Sequence, residues 1–142
     1  DVDLLEMVDL GTPHIAGYSL DGKAAGTHMI YEAACCFLGI EPEVDIEQLK
    51  PAPEVPRIRL ESEGGVEDKI REVVLSVYDI ERDDEDLARI LRKNKSDRGA
   101  YFDSLRKNYP VRREFYNTEV ICPKDEGEVK RILSEIGFQI RA

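Results

Sequence analysis

Gly11-Thr12-Pro13-His14-Ile15-Ala16-Gly17-Tyr18-Ser19-Leu20-Asp21-Gly22-Lys23 is the stretch on which the reading of this chain turns, because backbone irregularity and a titratable side chain coincide in it. Before it, Met7-Val8-Asp9-Leu10 is short, partly apolar and halted by Gly-Thr-Pro, which predicts a strand ending in a turn. His14 is then expected on a loop beyond a strand's carboxyl end, the edge at which open α/β sheets bind ligands. Pro13 fixes its own φ and biases Thr12 away from helix, and Gly17 lets a turn or a ligand come close without a Cβ in the way. Taken alone, a histidine in such a loop reads either as a surface residue or as an acid-base group, since imidazole changes charge near neutral pH.

Working outward, Ser19 or Asp21 is expected to cap a helix that runs to about Leu38 and stops at Gly39. Its apolar residues Ala25, Met29, Ala33 and Phe37, joined by Ile30, Ala34 and Leu38, recur at three and four and predict one wide buried face. The small residues Ala24, Ala25, Gly26, Ala33 and Ala34 suit a helix that crosses back to pack on another domain. From Glu41 to Pro56 the composition shifts, and Pro42, Pro51, Pro53 and Pro56 predict a stiff, extended connection. The domain organisation expected is therefore a body over residues 1–40, a linker over 41–56 and a second domain over 57–142.

The second domain has its own periodicities. Arg57-Ile58-Arg59-Leu60-Glu61 alternates as a half-buried strand, and Gly64-Gly65 turns the chain. Val66, Ile70, Val73, Val74 and Val77 then fall on one helical face, and a second helix is expected after Asp83-Asp84 with Leu87, Ile90 and Leu91 inward. A short helix through Tyr101 to Tyr109 stops at Pro110, a strand follows at Glu119 to Cys122, a helix at Glu128 to Glu135, and Phe138-Gln139-Ile140 closes as a strand.

Composition excludes some classes of function. A net charge of −10 over 142 residues argues against a nucleic-acid partner, because phosphate neutralisation needs a basic surface. Cys35, Cys36 and Cys122 are an odd number, with two adjacent and pointing about 100° apart on a helix, so they predict free thiols in a reducing compartment rather than a disulfide framework. His28 has only Glu32 at helical spacing, which falls short of the three or four ligands a zinc site needs. No cationic leader and no long apolar run is visible, so neither export nor a membrane is expected and the cytoplasm is the predicted location. The chain is short for a whole dinucleotide enzyme and has no Gly-x-Gly-x-x-Gly turn, which reads as a carboxyl-terminal piece of a longer protein.

The run Thr12-Pro13-His14-Ile15-Ala16-Gly17-Tyr18, followed by Lys23 and a helix, resembles the catalytic-histidine segment of the D-isomer-specific 2-hydroxyacid dehydrogenases. The longer run from Gly11 to Ala24 is similar to the form found in the branch of that family whose substrate is 4-phospho-D-erythronate, in pyridoxal phosphate biosynthesis. Leu105-Arg106-Lys107-Asn108-Tyr109, followed by Arg112-Arg113-Glu114 and an aromatic, resembles the carboxyl-terminal domain of the same branch. The resemblance implies an α/β fold: the end of a Rossmann-type dehydrogenase (strand, catalytic loop, crossover helix) followed by a small α/β dimerisation domain. It implies NAD as cofactor, 4-phospho-D-erythronate as substrate and a homodimer. His14 matches the family's proton carrier, Gly17 a backbone position lining the NAD site, and Tyr18 a substrate contact. The carboxylate and arginine partners of the family's histidine have no counterpart in this chain, so the chain by itself is expected to be inactive.

Two features stay open at this level. The cluster Arg106, Lys107, Arg112 and Arg113 reads as a solvated or interface-facing charged surface or, less simply, as a phosphate site. Tyr101, Phe102, Tyr109, Phe115 and Tyr116 nearby suggest a partner surface. A second reading of the carboxyl-terminal part is a regulatory small-molecule-binding domain, as in related phosphoglycerate dehydrogenases. The extra helix and the proline-interrupted middle leave it no hairpin of paired central strands. A pure interaction domain is a third.

Overall fold

Ile58 and Leu60 fall on one side of a strand whose other side carries Arg57 and Arg59, and the same alternation recurs at Val120 and Ile140. Three short strands meet those positions in the computed structural model, which describes residues 2–61 and 63–141. The strands are β1 (Arg57–Arg59), β2 (Glu119–Ile121) and β3 (Gln139–Arg141). The helices are α1 (Val2–Leu5), α2 (Leu20–Leu38), α3 (Val66–Val77), α4 (Ile80–Ala88), α5 (Arg98–Lys107) and α6 (Gly127–Glu135). Single 3₁₀ turns lie at Ile46–Leu49, Arg89–Arg92 and Phe115–Asn117. The α/β class expected from the sequence holds. The chain divides into two compact units, one of residues 2–16 and 78–110, the other of residues 17–77 and 111–141.

The second unit carries the sheet, in the order β1-β2-β3 with both pairs parallel. Ile58, Val120 and Ile140 are aligned across it. On their face α3 contributes Val73 and α6 contributes Val129 and Leu133, and with Leu60, Cys122 and Phe138 these make the core. Val73, Val120, Val129 and Leu133 have no exposed surface at all. Phe115 stacks on Phe138 with ring centroids 4.5 Å apart. On the opposite face Glu119 receives Arg57 at 2.8 Å and Arg141 at 2.6 Å, so a row of ion pairs stands where a covered parallel sheet would be apolar. Every strand pair among the described residues is parallel, so the paired hairpin of a regulatory module is not formed.

The long helix begins and ends where the sequence indicates. Ser19 accepts a hydrogen bond from the Gly22 N–H at 2.9 Å as the N-cap of α2, and Gly39 adopts the left-handed conformation that lets Ile40 close back on Cys35. Its apolar stripe, expected to be buried, is exposed among the described residues. Met29 is 68% and Phe37 89% exposed, and Asp21 and Cys35 are the buried residues of the helix. Periodicity identifies a face with no reference to which part of a protein covers it.

The proline-rich segment is fastened rather than free. Val55 accepts a hydrogen bond from the Thr118 hydroxyl at 2.7 Å, Pro56 one from the Glu119 N–H at 3.0 Å, and Pro51 one from Arg113. The turn at Ile46–Leu49, capped by Asp45, interrupts the predicted extended run.

In the first unit, α4 starts at Ile80 rather than after Asp84, because Asp79 accepts from the Arg82 N–H at 3.1 Å and opens the helix one turn early. Asp83 consequently faces inward, where the Tyr109 hydroxyl donates to it at 2.8 Å. The strand expected at Met7–Leu10 is absent. Met7 closes a turn on Leu4, and Met7, Val8 and Leu10 are exposed, because this unit has no described strand to pair with. The aromatics expected to form a partner surface are largely committed inside their own units. Tyr101 donates to the Asp86 carbonyl at 2.7 Å and Phe115 belongs to the core, leaving Tyr116 half exposed.

Candidate functional site

The His14 turn is built from the first unit. Gly11 N–H donates to Asp84 Oδ1 at 2.7 Å, and a Cβ at Gly11 would meet Leu5 Cδ1 at 2.7 Å, so glycine is required for the chain to pass this close. Pro13 is buried between Thr12 and His14, whose N–H closes on the Thr12 carbonyl at 2.8 Å in a three-residue turn. Ile15 is buried beyond it. His14 itself is exposed and has φ +57°, the single described non-glycine residue in the left-handed region. That conformation costs of order 1–3 kcal/mol and persists where the surroundings over-determine it, as at ligand-binding turns. The imidazole is thus presented outward from a backbone fixed on both sides.

Gly17 and Tyr18 lie at the start of the second unit. Gly17 has φ +71° and open space where a Cβ would stand, so its backbone is approachable. The Tyr18 ring lies under Lys23 Nζ, 3.9 Å from its centroid. Immediately after them the chain is tightly wound: a Cβ at Gly22 would meet Ser19 Oγ at 3.0 Å and the Gly17 carbonyl oxygen at 3.1 Å. Ser19 is wholly buried.

Asp21, in the first turn of α2, is the residue around which this region is arranged, and the sequence marks it only as a possible cap. Its side chain is 2% exposed. It accepts hydrogen bonds from Arg113 Nε at 3.0 Å, the Glu114 N–H at 2.8 Å, Asn117 Nδ2 at 3.0 Å and Lys50 Nζ at 3.1 Å. Burial pushes the carboxyl up, but the hydrogen bonds from Arg113, Glu114 and Lys50 outweigh it and hold the group at about 2, below the ordinary 3.8. Lys50 is raised by its bond to Glu47 at 2.6 Å and, against the effect of burial, by Asp21. Burial and the Asp21 charge push the Tyr116 phenol up. Arg113 also donates to the Pro51 carbonyl and, at 2.7 Å, to Asn117 Oδ1.

The basic cluster is divided between the two units. Arg113 is the buried partner of Asp21, in the second unit with Arg112, while Arg106 and Lys107 belong to the first. Nothing local in the sequence around Arg113 points to Asp21, 92 residues away.

No group of three or more His, Cys, Asp or Glu among the described residues is arranged to hold a metal ion, and His28 pairs with Glu32 at 3.5 Å. No described helix is long and apolar enough to cross a membrane. The first unit has a cleft of about 310 Å³ lined mainly by apolar residues, among them Leu5, Leu10, Leu87 and Phe102.

A family model described as "Domain of unknown function (DUF3410)" matches residues 49–137. The chain is 41% identical over 137 residues to the erythronate-4-phosphate dehydrogenase of Pseudomonas fluorescens, covering 96% of this chain and 36% of that protein. It is 43% identical over 140 residues to the enzyme of the same name from Escherichia fergusonii, covering 97% and 34%, and 42% identical over 137 residues to that of Proteus mirabilis, covering 96% and 34%. Matches of this length include the His14 turn. The chain spans about a third of the length of these curated relatives. With its family model covering α3 through α6 and its relatives matching nearly end to end, the chain belongs to the DUF3410 family and is a homologue of part of the erythronate-4-phosphate dehydrogenases.

Proposed function

We propose that the chain is the carboxyl-terminal part of an NAD-dependent erythronate-4-phosphate dehydrogenase, an enzyme that oxidises the 2-hydroxyl of 4-phospho-D-erythronate to the 2-oxo acid on the route to pyridoxal phosphate. The observation that carries this reading is identity of 37–43% to proteins of that name over nearly the whole chain, the His14 turn included. NAD would supply the hydride acceptor. Removing hydride from the carbinol carbon acidifies the hydroxyl, so a base must take its proton as the carbonyl forms, and His14 is assigned that proton. Its exposed imidazole on a fixed backbone suits the task. Gly17 fits a position against the cofactor, because its backbone is open to close approach. Tyr18 is assigned a substrate contact.

The domain reading belongs to the same proposal. Residues 1–40 end the catalytic body, 41–56 connect, and 57–142 form the dimerisation domain of a cytoplasmic homodimer. The exposed apolar stripe of α2 would then be covered by the rest of the body, which supports a chain that is inactive when separated from it. The all-parallel sheet gives no support to the regulatory-module alternative.

The test is His14→Asn in the full-length enzyme, assayed with 4-phospho-D-erythronate and with 3-phosphoglycerate. Turnover should fall by roughly 10²- to 10⁴-fold, the contribution of a positioned acid-base group, with NAD affinity little changed. The rise of oxidation rate with pH should disappear with the imidazole. Rates within a few-fold of wild type, or a preference for 3-phosphoglycerate, would refute the assignment.

A further inference from the structure

We propose that the DUF3410 domain positions the active-site turn: Arg113 and Asn117, acting through Asp21, hold the start of α2 and with it Gly17 and Tyr18. The inference rests on the assignment of those two residues above. It gives this domain a role in substrate and cofactor binding beyond association of subunits.

Asp21 lies outside the matched range 49–137, yet the groups that donate to it from Lys50, Arg113, Glu114 and Asn117 lie inside that range. A backbone bond reinforces the connection, since Leu20 N–H donates to the Arg112 carbonyl at 2.8 Å. Residues 20 and 21 are thus both gripped by the segment 112–117, and Ser19 is locked by burial and by its cap on Gly22. Gly17 and Tyr18 directly precede these fixed points, and the start of α2 packs against the Gly17 carbonyl closely enough that a Cβ at Gly22 would lie 3.1 Å from its oxygen. The segment 112–117 is in turn rooted in the core by Phe115 and continues into β2 through buried Thr118. A planar guanidinium that binds Asp21, Pro51 and Asn117 at once admits one arrangement of the three, which a lysine or an apolar side chain would not impose.

The test uses Arg113→Met in the full-length enzyme, with Arg131→Met, which removes an exposed pair with Glu135 in the same domain, as the control. Amide hydrogen exchange at residues 18–22 should accelerate by roughly 10- to 100-fold, the scale of one lost charge-assisted hydrogen bond, while β2 and α6 keep their protection. KM for substrate and NAD should rise by a similar factor, and the pH dependence set by the imidazole should stay in place. Added guanidinium ion should restore both with Arg113→Ala, and Asn117→Ser should give a weaker form of the same change should the Arg113 variants fold poorly. Unchanged exchange at 18–22, acceleration spread evenly through the domain, or no rescue by guanidinium would overturn the proposal. An inactive wild-type enzyme would refute the assigned reaction instead, and the exchange measurement would still decide the anchor.

Discussion

Acid should dismantle the Asp21 anchor before it dismantles the core, and the size of the effect follows from the structure. The Asp21 carboxyl is held at about 2 in the folded chain against 3.8 for an ordinary aspartate. A group with a depressed folded value contributes stability that is fully present above its unfolded value and is lost as pH falls through the folded one. For these two values the contribution is about 2.4 kcal/mol at pH 5 and about 0.4 kcal/mol at pH 2, a loss of about 2 kcal/mol from this carboxylate alone. Other acids titrate over the same range, so the quantity to measure is the difference between wild type and Asp21→Asn. Urea unfolding followed by circular dichroism at pH 5, 4, 3 and 2 gives it directly. The variant should be less stable by about 3–5 kcal/mol at pH 5, since it leaves Arg113 and Lys50 buried against a neutral group. That gap should narrow by about 2 kcal/mol on going to pH 2. A gap that stays constant between pH 5 and pH 2 would refute the ionised, hydrogen-bonded Asp21 on which the anchor depends.

Leu133→Ala should destabilise the sheet unit by about 2–5 kcal/mol in the same unfolding assay, because the side chain is fully buried between α6 and the strands, and a loss under about 1 kcal/mol would contradict that packing. The full-length protein should sediment as a twofold dimer, the commonest oligomer symmetry, and a monomer at micromolar concentration and above would exclude dimerisation as the role of residues 57–142.

The elements whose identity depends on local chemistry are legible in the sequence. Ser19, one of two caps the sequence offers before α2, and Gly39 after it are legible because a cap needs only its own few residues. The alternation at Arg57-Ile58-Arg59 and the valines of α3 likewise announce which side meets the core. What fails depends on partners elsewhere in the chain. Met7–Leu10 has the composition of a strand end, but a strand exists only with a neighbour to bond to, and none of the described strands lies in its unit. The α2 stripe has the right period and no cover among the described residues. Asp79 moves the start of α4 because a capping carboxylate outweighs the pair Asp83-Asp84 that resembles one. His14, Gly17 and Tyr18 are proposed from their run of neighbours, whereas Asp21 and Arg113, far apart in sequence, are ordinary residues until the fold joins them.

The chemistry of that junction bears on why it is ionic. A buried ion pair adds little net stability over an apolar pair of the same volume, since desolvation consumes most of the attraction. An apolar contact between α2 and the segment 112–117 would hold the helix as firmly, but it would tolerate a rotation of the first turn, because dispersion contacts have no preferred direction. The Asp21 network is directional: one carboxylate meets a guanidinium, an amide, a backbone N–H and an ammonium, each at hydrogen-bonding distance. Under the proposed roles of Gly17 and Tyr18, direction rather than strength is what their turn would require, because a displacement on the scale of 1 Å is enough to cost a hundredfold in rate. The stability difference measured for Asp21→Asn and the exchange measured at residues 18–22 for Arg113→Met therefore report separate properties of the same contact, its energy and its geometry.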